Sequence, residues 1–185
     1  MTTDSPRTPA DAIAAYIRAK DENRPHLMRL AFTETAAVTV VSLTGAISFP
    51  SPLRGRRHIA EVLSRRFGQS FENVYTFCLT DPPSPKADRF SCDWLVGMTE
   101  KETGAVRIGS GRYDWSFEDR DPRRVETLTI TIEQMETSSP DASSAVMRWL
   151  AALPYPWCPA PILTRDAPAL DGVAAIVGRY RTEPA

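Results

Sequence analysis

The chain has 185 residues, 42% of them hydrophobic, and a formal charge of −1 at pH 7 from 22 Lys and Arg against 23 Asp and Glu. That length suits one domain with an extension, because two separate cores would be cramped. The near-neutral balance supplies no bulk attraction to nucleic acid or an anionic membrane, and no apolar stretch approaches the ~20 residues that span a bilayer.

Residues 1 to 9 are polar and broken by prolines where a secretory leader needs a charged start and an apolar run, so the expected location is cytoplasmic. Cys78, Cys92 and Cys158 are odd in number, far apart and without a Cys-x-x-Cys pair. They read as small buried hydrophobes, not as a disulfide frame or a thiolate zinc site.

Thr8 or Asp11 can cap a first helix whose inward stripe is Ile13, Tyr16, Ile17 and the stem of Lys20. Asp21 and Asn23 end it. Asn23 can cap a second helix that tolerates Pro25 in its first turn and buries Leu27, Leu30 and Ala31. Ala37 to Leu43 is dense in β-branched residues, which argues strand over helix. A third helix opens at Gly55, with Ile59, Val62, Leu63 and Phe67 inward, Arg56, Arg57 and Arg65 outward, and Gly68 as its stop. The run Arg54-Gly55-Arg56-Arg57 is either a solvated helix start or a place where guanidinium forks hold a carboxylate or phosphate.

Beyond Phe71 the pattern is strand-like: 73 to 80, 89 to 99, 105 to 118 and 124 to 136, with short turns at Glu100-Lys101-Glu102-Thr103-Gly104 and Asp119-Arg120-Asp121-Pro122. These make a meander. Leu128, Ile130 and Ile132 alternate with Thr127, Thr129 and Thr131, so one face is core and the other wetter or at an interface. Residues 138 to 144 form a polar linker. The tail after it carries Trp149, Leu150, Leu153, Tyr155 and Trp157, which need cover.

Tyr16-Ile17-Arg18-Ala19-Lys20-Asp21 before Leu27-Met28-Arg29-Leu30-Ala31-Phe32, the turn into Ala37-Val38-Thr39-Val40, and Gly55-Arg56-Arg57-His58-Ile59 opening a helix together resemble the nuclear transport factor 2-like superfamily. Ketosteroid isomerases, scytalone dehydratase and the SnoaL-like polyketide cyclases belong to it. The resemblance covers roughly residues 10 to 136. It implies an α+β, cone-shaped (cystatin-like) barrel, with three N-terminal helices packed on a bent, mostly antiparallel sheet. The domain would be 1–137, and 138–185 a helical, proline-rich extension packed across the mouth, on the domain or on a partner subunit.

Carried over residue by residue, the resemblance puts Tyr16 where ketosteroid isomerases hold an oxyanion. It puts Asp21 near the aspartate beside the histidine of scytalone dehydratase, and Asp114 near the strand acid/base of the cyclases. Two departures count against close kinship: Val40 stands where the isomerase base would be, and no histidine lies between Phe71 and Val125. Each candidate also has a structural reading, Tyr16 as a core aromatic, Asp21 as a helix-end residue and Asp114 as an exposed partner of Arg112 or Arg107.

His26 and His58 lack a second histidine at ligand spacing, so no metal is expected, and no nucleotide or cofactor motif occurs. The expected function is a cofactor-independent lyase, isomerase or cyclase moving a proton on a small hydrophobic substrate. The alternative is a non-catalytic binding or dimeric assembly module of the same fold. Expected partners are a small hydrophobic ligand and a second copy met through the threonine face, with no nucleic acid and no membrane.

Overall fold

The computed structural model describes residues 8–181. Most of the N-terminal stretch read for a leader, and the last four residues of the extension, lie outside those described residues. No described helix is long and apolar enough to cross a membrane.

Helix α1 (Pro9–Asp21) starts on a capping box in which Asp11 N donates to Thr8 Oγ1 and Thr8 N donates to the Asp11 carboxylate. It buries Ile13, Tyr16, Ile17 and Lys20. The second helix is shorter than the sequence suggests. Asn23 turns the chain at φ 49°, a single 3₁₀ turn spans Pro25–Leu27, and α2 (Met28–Ala31) gives way to an extended backbone at Phe32. Thr33 and Thr35, β-branched and adjoining a fully buried Phe32, favour the strand over another helical turn.

α3 (Arg56–Ala60), a π-helical stretch Glu61–Arg66 and α4 (Phe67–Ser70) run on as one helix of 56–70. Gly68 does not stop it. A Cβ there would collide with the Asn23 side chain, so this glycine permits the helix to approach the end of α1.

One six-stranded sheet has the order β2-β1-β6-β5-β4-β3. Its strands are β1 (Phe32–Ser42), β2 (Leu53–Arg54), β3 (Phe71–Cys78), β4 (Arg89–Glu100), β5 (Val106–Phe117) and β6 (Val125–Ser138). All neighbours pair antiparallel except β1 with β6. The sheet is strongly bent but does not close, so the expected barrel is an open cone. Between Ser110 and Gly111 of β5 the partner on β6 jumps from Gln134 to Ile132, a bulge that sharpens the bend. The concave face presents Trp94, Met98, Tyr113, Trp115, Leu128 and Ile130 to α1 and the helix of 56–70.

The C-terminal segment covers the other face. From α5 (Ser143–Ala151), α6 (Ala160–Arg165) and α7 (Asp171–Val177), the side chains of Val146, Leu150, Leu163 and Ile176 form a second core with Phe77, Leu95, Val106 and Ile108. Between α5 and α6 the chain runs along the outer edge of β3: Cys78 N donates to Pro156 O at 2.8 Å and Cys158 N to Cys78 O at 2.9 Å. The segment therefore lies behind the sheet and on its edge, not across the concave mouth. It reaches β6 only at that strand's late end, where Arg179 pairs with Glu133. Thr127 is exposed, with Thr129 and Thr131 half-buried.

Candidate functional site

Between α1, the helix of 56–70 and the concave face lies a cavity of about 50 Å³. Its walls are apolar, among them Val40, Phe49, Phe67, Met98, Ile130 and Ile132. The polar groups among its lining residues are Tyr16, Lys20, Thr76, Tyr113 and the indole of Trp94.

Tyr16 and Lys20 stand four residues apart on α1, one turn above the other on the buried face. The Lys20 residue is 7% exposed. Its Nζ donates to Asp21 Oδ1 at 2.6 Å and to Thr76 Oγ1 at 2.7 Å, and sits 4.9 Å from the centre of the Phe67 ring. Asp21, whose side chain is 1% exposed, also accepts from Thr76 N at 2.7 Å, Thr76 Oγ1 at 2.8 Å and the Tyr155 hydroxyl at 2.8 Å. A charge buried here without partners would be very costly. These five bonds compensate both ions, and they leave the pair neutral as a unit.

Tyr16 and Tyr113 meet edge to face at 6.2 Å, and their hydroxyls are hydrogen-bonded to each other. Burial pushes the Tyr16 phenol well above its ordinary range, opposed by the bond from Tyr113; burial pushes Tyr113 up in the same way, assisted by Tyr16. Trp94 stacks on Tyr113 at 5.5 Å, and its buried indole N–H has no hydrogen-bond partner among the described residues. Cys78 and Cys92 lie beside this cluster, and the hydrogen bond between their thiols, then burial, raises Cys78.

Of the three residues singled out from the sequence, Tyr16 lines the cavity and Asp21 lies behind it, bonded to the lining residues Lys20 and Thr76. Asp114 does neither. In β5 the inward positions are Tyr113 and Trp115, so Asp114 between them points outward, its side chain 47% exposed, bonded to Ser91 and 3.4 Å from Arg112. That corrects its expected place in the cavity and matches the alternative of an exposed partner of Arg112. Lys20, Thr76, Tyr113 and Tyr155 were missed as members of the site. Lys20 had a signal, since it closes the inward stripe of α1 and is one of three lysines in an arginine-dominated chain. Thr76 and Tyr155 had none, because only folding brings them to Asp21.

The element order, the bent sheet and the cavity between helices and concave face can be set against known proteins. No protein-family model and no curated protein matches the sequence. Among solved structures, the chain is similar to a nuclear transport factor 2-like superfamily protein from Salmonella enterica, with TM-score 0.50 and 18% identity over 71% of this chain and 87% of that one. The chain has the nuclear transport factor 2-like fold. It is also similar to LinA, at TM-score 0.54 and 12% identity over 69% of this chain and 85% of that one, a protein titled in a second structure a hexachlorocyclohexane dehydrochlorinase. A ketosteroid isomerase-like protein from Erwinia carotovora aligns at TM-score 0.51 and 11% identity over 71% and 98%. At these identities the likeness concerns the nuclear transport factor 2-like fold alone, a fold that carries both catalytic and binding proteins.

Proposed function

We propose that this chain binds a small, mainly apolar molecule in the cavity, with one oxygen acceptor of that molecule against Lys20. The observation that carries this reading is Lys20, a buried ammonium-bearing residue among the lining of an otherwise apolar space. Tyr16, Tyr113 and Trp94 bring further hydroxyl and N–H groups to the lining residues, as partners on which a ligand oxygen could draw. Because Lys20 is neutralised by Asp21, a neutral carbonyl suits the site better than a carboxylate, whose charge would be desolvated without a free counter-ion. The test is titration with cyclopentanone and cyclopentane, followed by the amide resonances of cavity residues. The ketone should bind about tenfold more tightly, as one hydrogen bond to a charged group implies. That preference should vanish in Lys20→Met. Equal binding of the two probes to the unmodified protein would overturn the reading.

A second reading, proton transfer, is favoured by the direct Lys20–Asp21 contact. In that reading the Lys20 ammonium and the Tyr16 hydroxyl donate to the oxygen of a bound carbonyl, and the proton released from the carbon beside it passes to the Asp21 carboxylate. Deuterium exchange at that carbon, faster than in buffer and lost in Lys20→Met, is its measurement.

The homodimer remains a proposal. A second copy would cover the part of the outer sheet face that the C-terminal helices leave open, near Thr127 and the exposed Val41 and Leu43. Light scattering that reads a monomer at micromolar concentration would sink it.

A further inference from the structure

On its solvent side the helix of 56–70 borders a second cleft, of about 580 Å³, shared with the turn before α2. Arg29, Arg56, Arg57 and Arg65 line it together with His26, and Glu61 is its one acidic residue. That carboxylate is divided, with Arg65 at 3.7 Å and Arg66, from outside the cleft, at 3.4 Å. Arg56 is half-buried and anchored through a bond from its guanidinium to Phe32 O at 3.3 Å, which leaves other N–H groups of the fork to spare. Among the described residues, the side chains of His26, Arg29 and Arg57 have no hydrogen bond or ion pair.

We propose that this cleft binds a compact polyanion, a small molecule bearing two or more phosphate or carboxylate groups. Four guanidinium groups against one shared carboxylate repel each other, in a chain whose overall charge is only −1. Guanidinium forks engage phosphate and carboxylate oxygens two at a time, so an anion bridging Arg29, Arg56 and Arg57 removes that repulsion and satisfies free donors at once. A single negative charge is too little to balance the arginines. The lining has no Phe, Tyr or Trp and only the His26 imidazole as an aromatic ring, which disfavours single-stranded nucleic acid, and the volume of the cleft fits a small ligand.

The experiment is calorimetric titration of the full chain at constant ionic strength with pyrophosphate, citrate and acetate. Pyrophosphate or citrate should bind at least tenfold more tightly than acetate. Preference for pyrophosphate over citrate identifies a phosphorylated ligand, and the reverse a polycarboxylate. The double variant Arg29→Glu, Arg57→Glu should lose at least tenfold in that affinity while keeping the native circular dichroism, since both side chains are exposed and unbonded. Saturating cyclopentanone should leave the pyrophosphate affinity unchanged, which separates this cleft from the cavity. The proposal is overturned if the three anions bind alike, if the double variant binds like the unmodified protein, or if a single-stranded oligonucleotide binds more tightly than pyrophosphate.

Discussion

Tyr155 donates its hydroxyl to Asp21 Oδ2 at 2.8 Å, joining residues 134 positions apart and tying the C-terminal segment to the carboxylate that neutralises Lys20. The ring itself is held edge-on by Tyr75 and Phe77. Tyr155→Phe keeps those ring contacts and deletes one donor to a buried carboxylate. The expected loss is about 1–2 kcal/mol, near the lower end for a bond to a charged group because Tyr155 is 37% exposed. Urea unfolding measures it, and an unchanged midpoint with an unchanged slope would mean that water takes the place of the hydroxyl.

Gly97 faces Leu150 so closely that a Cβ on β4 would overlap the leucine methyl. Gly97→Ala should therefore push α5 off the sheet and destabilise the protein by about 1–3 kcal/mol. Adding Leu150→Ala should recover part of that loss, because the second substitution empties the space the first one invades. Two losses that simply add, with no recovery, would place the clash elsewhere.

Burial raises the phenols of Tyr16 and Tyr113 above the ordinary value of 10.0. A folded-state value above the unfolded one gives stability that is complete below pH 10 and is lost as the pH rises beyond it. Stability should thus fall steeply on the alkaline side, with phenolate absorbance of these two tyrosines appearing only as the protein unfolds. Tyr16→Phe should flatten the alkaline slope. A phenolate signal from Tyr16 in folded protein near pH 10 would contradict this.

All three cysteines are free and buried, and burial pushes the Cys158 thiol up to about 11. Thiolate reagents should find no fast-reacting site in the native protein and three in denaturant. One thiol reacting at the rate of a free peptide would show an opening of the edge segment or of the sheet.

The sequence carried the outline of the fold because its signals were local: the inward stripe of α1, the β-branched run after Phe32, and the glycine-closed turn between β4 and β5. Alternation named both faces of β6. It left Asp114 undecided, since only the register against Ser91 and Thr129 determines which side of β5 is inward. The neutral Lys20–Asp21 pair was half legible. The lysine stood on a buried stripe, whereas its partners Thr76 and Tyr155 come from an ordinary strand and from a proline-dense stretch with no periodicity. Trp149 needs cover wherever the C-terminal segment packs, yet an amphipathic helix says nothing about which face of a sheet it will meet.

The two rims of the sheet differ from its faces in a way that bears on self-association. At one rim β2 is two residues long, and at the other the stretch before α6 occupies the backbone groups of Cys78. Strand-to-strand extension from copy to copy therefore has little unpaired backbone to begin on at these points. A further strand arriving at these points would first have to displace what already occupies them.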